Sequence, residues 1–493
     1  MNEQRVDVIV LGGGGSGLAA ASEAARAGAK VILLEKNPKL GGSTGWSVGS
    51  YSAAGTPHQK RAGILNDTPD MHFEDLGKFT AALGLESRDN LALRRILVDN
   101  SAETFQWLMD NGVVFMGPAL EPPHRHPRMH NVVPGSKSYP YHIARLCRGL
   151  GVDIRLSTRA TKLRMEDARV AGVEAIDANG KACFYRANRG VVITSGDFSG
   201  GRELKARYAS AIAADSTAVN ITNTGDGHSM ALAVGASIMN GDLVHGPIMR
   251  FVPPVNPTLI SRLPPYTWVG HLATFAMAHA PKALIRPVLM SFITTALGPD
   301  PGLFKAGGAL VNRRGVRFGN EFEKPALSLA AQPDGVGYIV LDSSMAAKFT
   351  EWPHFVSTAP NVAHAYLPDY KSSRRDMYHE AATVTELATL LGMDAASLEA
   401  SLASGGPSGI AVAKPPFVAL GPVKSYMVLT DGGLKVSERH EVIGADDRPI
   451  PGLFAAGSAG QGGVLLYGHG HHIGWAFVSG RRAGQHAAAA PAA

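Results

Sequence analysis

VDVIVLGGGGSGLAAASEAARAGAKVILLEK, residues 6–36, decides the fold. Residues 6–11 form an apolar, β-branched run that reads as a buried strand. Glycines follow at once, then an alanine-rich helix over 18–27 and a second strand over 31–34. Strand, tight turn, helix and strand in about 30 residues make the βαβ unit of a parallel, doubly wound sheet. Gly12, Gly14 and Gly17 stand in GxGxxG spacing, with Gly15 and Ser16 inside the turn. Gly12 permits the tight turn, Gly14 lets the backbone approach a pyrophosphate, and Gly17 allows the helix to pack closely. The helix N-terminus supplies partial positive charge. Glu35, at the end of the second strand, offers a carboxylate to ribose hydroxyls, so the unit reads as an adenine-dinucleotide site.

The fingerprint fits NAD as well as FAD. The next stretch, EKNPKLGGSTGWSVG (35–49), favours FAD, because it forms a second glycine-rich loop placed to follow the cofactor towards its ring. Lys36, Gly42, Ser43, Thr44, Ser47 and Gly49 are its candidate contacts.

At 493 residues the chain has room for two or three domains. Hydrophobic residues at 45% against 18% charged exclude a disordered chain and allow a sizeable core. The net charge of +6 is scattered without a Lys/Arg tract, which argues against nucleic acid as a partner. Cys147 and Cys183 lack CxxC spacing, so neither a disulfide framework nor a metal site is expected. No secretory pattern precedes residue 6, and the expected compartment is the cytoplasm. Residues 267–298 are apolar but interrupted by His271, His279, Pro281, Lys282, Arg286 and Pro287, too broken to span a bilayer. They read as helices packed on a lipophilic pocket, with membrane-surface contact as the lesser alternative.

Residues 74–111 carry a helical pattern, and 118–134 break regularity with a concentration of Pro, His and Arg. The expected architecture is α/β: a Rossmann-like FAD-binding domain with a doubly wound parallel sheet and an inserted α+β capping domain. The first part of the FAD domain is assigned to 1–236, the inserted substrate domain to 237–436, and the C-terminal part of the FAD domain to 437–493.

Ordered along the chain, the 6–36 fingerprint, GGSTGWS (41–47), VVITSGDFSG (191–200), TNTGDGHSMALAVGA (222–236), NRRGVRFGNE (312–321), TDGGLKVS (430–437), IPGLFAAGSAGQGG (450–463) and HHIGWAFVSGRRAG (471–484) carry a resemblance. The chain resembles the fumarate reductase and succinate dehydrogenase flavoprotein superfamily, especially its 3-ketosteroid 1-dehydrogenase-like branch. The resemblance implies further cofactor contacts at Thr194, Ser195 and Gly196. It also implies contacts at Asp226, in the Gly225–Gly227 turn that opens a helix, and at Ala160 near adenine. Gly457, Ser458 and Ile473 would meet the ribityl chain and pyrimidine edge. No His or Cys stands in 41–49, where covalently flavinylated members carry their link, so FAD is expected to be non-covalent.

The chemistry so implied is hydride transfer between flavin and a carbon β to a carbonyl or carboxylate, with a proton exchanged at the α carbon. The expected partners are a small apolar carbonyl substrate, possibly cyclic and steroid-like, and an external electron donor or acceptor. The sequence departs from both familiar patterns. After Asn320-Glu321 it reads Phe-Glu-Lys-Pro-Ala-Leu, without the fumarate reductase arginine, and a second substrate arginine of that family falls where His472 stands. The ketosteroid branch expects a tyrosine where Ala326 falls, and Tyr467 is one residue out of register with another. Gly470 matches the glycine whose amide helps polarise a ketone. The candidate catalytic residues are therefore Tyr467, His469, Gly470, His471 and His472, with His124, His126 and His130 in the irregular segment. Trp268, Phe275, Met277, Leu289 and Met290 are expected to form an apolar pocket wall. A flavin oxidase or hydroxylase using oxygen, and an electron-transfer subunit of a complex, are the competing functions.

Overall fold

In the computed structural model, which describes residues 2–254, 262–281, 286, 290, 294, 297–359 and 363–492, the opening apolar run is the strand Asn2–Leu11. It lies inside an eight-stranded sheet, parallel to Val31–Leu34 on one side and Ala182–Ile193 on the other. Its side chains alternate between two cores: Ile9 and Leu11 pack on one face, Val8 and Val10 on the other, and none is more than 3% exposed. Cover on both faces explains why residues 8–11 have no polar interruption. Leu453–Ala455 pairs in parallel with Val191–Ile193, so both ends of the chain contribute to one sheet.

The fingerprint helix is Gly15–Arg26, beginning three residues before the expected 18–27 because Gly15, Ser16 and Gly17 are themselves helical. The final helix, His471–Ala489, lies across it with no room for side chains between them. A Cβ on Gly480 would meet the Ser16 carbonyl oxygen at 2.4 Å, and one on Gly484 the Ala20 carbonyl oxygen at 2.2 Å.

A second, six-stranded sheet is organised around Phe417–Met427, which pairs antiparallel with Val336–Leu341, Ile248–Phe251 and Tyr378–Ala381. Its own core includes Phe251, Leu310, Ile339, Tyr370 and Leu420. Two short antiparallel ribbons join it to the first sheet: Ile238–Met239 with Gly433–Leu434, and Val244–His245 with Leu429–Thr430.

Two local expectations change. The helical pattern over 74–111 is two helices, Pro69–Ala81 and Leu91–Asp110, because Gly84 turns the chain at φ +66° and the Asn90 side chain caps the second helix by accepting from the Leu93 amide. The irregular 118–134 ends in a strand, Met129–Val133, paired with Val114–Ala119, where burial of Met129, Val132 and Val133 outweighs the flanking prolines.

Candidate active site

The glycine turn has the geometry its spacing implies. Gly12 has φ +113°, and a Cβ there would lie 2.5 Å from the Thr194 carbonyl oxygen. On Gly17 a Cβ would fall 1.8 Å from the Gly12 carbonyl oxygen, whereas on Gly14 it would meet nothing nearer than 3.9 Å. Gly14 thus presents bare backbone to a cavity of about 850 Å3. The carboxylate of Glu35 is fixed by backbone amides, Gly13 donating to Oε2 and Asn37 to Oε1, both at 2.7 Å. Each oxygen keeps lone-pair capacity for a further donor.

The cavity continues along the second glycine loop. Gly15, Ser16, Lys36, Gly42, Ser43, Thr44, Ser47 and Gly49 all line it. Thr44 Oγ1 accepts from the Gly15 amide at 3.1 Å, tying the loops together. Ser43 Oγ accepts from Asn220 at 2.9 Å and Asn223 at 3.0 Å, and Asn223 also donates to buried Asp197. Asn220, Asn223 and Asp197 line the cavity too, and were not singled out in the sequence. Ala160, Thr194, Ser195, Gly196, Ser458 and Ile473 complete this part of the lining. Ala160 is positioned through Thr158, whose amide donates to the Glu35 carbonyl at 2.9 Å.

Asp226 also lines the cavity, but its carboxylate is engaged by Lys36 at 3.0 Å and Arg159 at 3.1 Å. Burial raises its pKa, and the Arg159 and Lys36 contacts outweigh this and hold it below the usual value. Its visible work is to tie the end of the second strand to 159 and to the helix Asp226–Leu232. Gly17 and Gly457 do not line the cavity. Gly17 packs beneath the turn; the Gly457 amide donates to Ser479 at 2.9 Å, and a Cβ there would meet Ser16 Oγ at 2.6 Å.

At the other end, Gly468, His469, Gly470 and His472 line the cavity. Gly470, at φ +89°, caps the final helix without a side-chain hydrogen bond, leaving first-turn amides without helical partners. Burial lowers His472 to about 4, so its ring is neutral at pH 7. His469 is paired with Glu121, whose Oε2 also accepts from the His469 amide at 2.9 Å. That partner raises the His469 pKa.

Tyr467 is not on the wall, nor is His126. Tyr467 packs on the ring of His245 at 5.0 Å, and burial followed by the Asp431 carboxylate pushes its phenol pKa up. His245 Nε2 lies 2.8 Å from Asp431 Oδ2, and Gln461 donates to Oδ1 at 3.0 Å. Burial raises the Asp431 pKa, yet the His245 hydrogen bond and charge outweigh it and hold the group lowered. A carboxylate can only accept, so the Nε2 of His245 carries a proton towards Asp431. The ring of His472 stands edge-on to His245 at 6.2 Å. His245 and Asp431 were missed in the sequence because a two-residue ribbon pairs His245 with Leu429 across a long insertion.

The other histidine candidates turn away from the cavity. His471 Nε2 lies 3.1 Å from His72 Nε2, and His124 packs edge-on to His72 and tilted against His471 in a buried cluster. Arg128 donates to His124 Nδ1 at 2.9 Å, which places the proton of neutral His124 on Nε2 and disfavours that nitrogen as a metal ligand. His130 bonds Thr56 Oγ1 at 3.0 Å inside the core. None of residues 320–327 lines the cavity.

The expected apolar wall is also corrected. Trp268, Phe275 and Met277 are 64%, 63% and 40% exposed on the helix Thr267–His279, and Met290 is buried in the second-sheet core. Leu289 lies outside the described residues. The apolar lining instead comes from Phe251, Pro253, Leu263, Pro265, Tyr426, Val428 and Leu429. The error came from taking apolar composition for burial.

A parallel sheet with this cradle at its strand ends defines a dinucleotide-binding protein with a second sheet beside the cofactor site. A family model described as FAD binding domain matches residues 7–255 and 274–470, and the chain belongs to that family of FAD-dependent oxidoreductases, within the fumarate reductase and succinate dehydrogenase flavoprotein superfamily. It is 27% identical to a probable fumarate reductase, Ifc3, of Shewanella frigidimarina over 98% of this chain and 75% of the relative. A urocanate reductase of Eggerthella lenta is 26% identical over 98% of this chain and 75% of its own length. Among solved structures, the open conformation of a flavocytochrome c3 fumarate reductase matches with TM-score 0.71 and 27% identity, over 99% of this chain and 78% of that one. A 3-ketosteroid-Δ4-(5α)-dehydrogenase from Rhodococcus jostii RHA1 matches with TM-score 0.59 and 25% identity, over 98% and 97%.

The residues present fit FAD. Gly14 exposes backbone where a Cβ would occupy the cavity, Glu35 retains acceptor capacity, and cavity-lining Ser195 Oγ is buried without a hydrogen-bond partner.

Proposed function

We propose that this chain holds FAD non-covalently and oxidises or reduces the carbon–carbon bond next to a carbonyl in an apolar, cyclic substrate. The observation that carries this reading is one cavity running from the glycine cradle to Phe251, Leu263, Tyr426 and Leu429 beside His472 and Gly470. The relatives named as fumarate and urocanate reductases support chemistry at a carbon–carbon double bond, and the ketosteroid dehydrogenase neighbour supports a cyclic ketone. Bound FAD supplies hydride transfer; an external donor or acceptor restores its redox state.

The protein's part is orientation and proton handling. The Gly470 amide and the neutral His472 ring donate hydrogen bonds to the substrate carbonyl oxygen, where negative charge develops. Tyr467 and His245, both held by Asp431, stand behind His472 as the proton reservoir. The apolar lining excludes water from the reacting carbons.

A second reading, a substrate bearing one carboxylate, is favoured by Arg250 and Lys137 in the lining. Anaerobic spectroscopy separates the two. Reoxidation of the reduced flavin by cyclic enones, or bleaching of the oxidised flavin by the saturated ketones, supports the first reading. A response only to unsaturated carboxylates, lost in Arg250→Met, replaces it with the second, and stoichiometric peroxide on turnover in air, without either anaerobic response, points to an oxidase.

A further inference from the structure

The helix Thr267–His279 buries Val269 and Gly270 and turns an apolar stripe outward. Trp268, Leu272 and Phe275, at i, i+4 and i+7, are 64%, 59% and 63% exposed. Leu263 and Tyr266, on the approach to the helix, are 41% and 42% exposed. Isolated exposed apolar residues are ordinary on a soluble surface, but a contiguous stripe of this kind marks an interaction site.

A second helix extends the surface with charge. Tyr141 of Ser138–Gly149 packs on Tyr266 at 5.5 Å, and Tyr266 on Trp268 at 6.5 Å. Tyr141, Arg145 and Arg148 share one face of that helix, again at i, i+4 and i+7, and all three are exposed. Residues 122–152 contain no Asp or Glu, nor do residues 243–299, while Arg, Lys and His recur in both. Exposed aromatics bordered by cations and free of sequence-local acids are the chemistry of a helix lying in the headgroup layer of an anionic bilayer. The helix, at about 20 Å, is too short to cross a hydrocarbon core of about 30 Å, and among the described residues no helix is long and apolar enough to do so.

We propose that the stripe Trp268–Leu272–Phe275, flanked by Arg145 and Arg148, docks this protein peripherally on an anionic phospholipid surface. Leu263 belongs both to this exposed surface and to the cavity lining, and Lys137, just before the basic helix, lines the cavity as well. Docking therefore sets the rim of the cavity against the bilayer, where an apolar substrate partitions.

The test uses the full-length, FAD-loaded protein and needs no turnover, so it stands apart from the reading of the active site. Co-sedimentation is measured with phosphatidylcholine vesicles with and without about 30% phosphatidylglycerol. The expected result is binding to the anionic vesicles that weakens with salt. It falls at least about tenfold in Trp268→Ser/Phe275→Ser, which removes the aromatic anchors, and in Arg145→Glu/Arg148→Glu, which reverses the flanking charge. Flavin spectra and melting temperatures of both variants should match the parent. In the parent, Trp268 fluorescence should be quenched by brominated lipid, a signal absent from Trp268→Phe. No binding, or equal binding to both vesicle types, overturns the proposal. So does concentration-dependent dimerisation abolished by Trp268→Ser/Phe275→Ser without vesicle binding, which assigns the stripe to a second copy of the chain.

Discussion

Asp431 carries most of the arrangement behind the His472 end of the cavity, accepting from His245 and Gln461 while raising the Tyr467 pKa. Asp431→Asn should slow anaerobic flavin reduction or reoxidation by about 10² to 10⁴ with FAD content unchanged; a rate within twofold of the parent would remove the His245–Asp431 pair from the mechanism. Tyr467→Phe and His472→Ala should each slow the same step. Unchanged rates in both would remove this loop. His469 and Glu121 give a titration at the same site. Burial raises the Glu121 pKa, but His469 outweighs it, so the Glu121 contribution to stability is present above its ordinary 4.5. The raised His469 contributes below its ordinary 6.5 and loses that contribution as pH climbs through its folded value. Their joint contribution is therefore largest between those limits. Glu121→Gln should return the His469 titration, followed by NMR, towards 6.5. At this scale the sequence was most legible where one residue does one local job. Gly12, Gly14 and Glu35 were read from spacing alone, whereas His245 and Asp431 meet only through strand pairing.

Among the elements, the crossing of Gly15–Arg26 with His471–Ala489 is the least forgiving. Gly484→Val would drive a branched side chain into the Ala20 carbonyl, 2.2 Å from a first Cβ, a clash that costs about 3 kcal/mol or more. Gly17→Ala, whose Cβ would fall 1.8 Å from the Gly12 carbonyl oxygen, belongs to the same class. Both variants should melt earlier and purify with depleted FAD; full yellow occupancy at the parental melting temperature would refute the packing argument. The βαβ unit was legible because its strand is covered on both faces and its glycines serve neighbours a few positions away. The helix Thr267–His279 was misplaced for the complementary reason: composition reports that a segment is apolar, not which partner covers it.

Across the whole molecule, buried histidines set the response to acid. Burial lowers His124, His228 and His472 to about 4 and His130, His440 and His471 to about 3. Below pH 6.5 the unfolded chain takes up protons that these native sites refuse, so stability falls as pH drops, by roughly 1.4 kcal/mol per pH unit for each fully refused proton. The melting temperature should decline steeply between pH 6.5 and 4, and a flat profile there would show that these rings titrate in the native state. The six-stranded sheet, formed by strands far apart in the chain, was foreseen only as an inserted domain, because its pairings leave no short-range signature. The crossing of the fingerprint helix with His471–Ala489 also sets an order on assembly. A nascent chain stalled before Gly480 carries the complete fingerprint but not the helix that backs it, nor the Ile473 side of the cavity. Flavin capture thus follows the synthesis and docking of residues 471–489, not of the fingerprint alone.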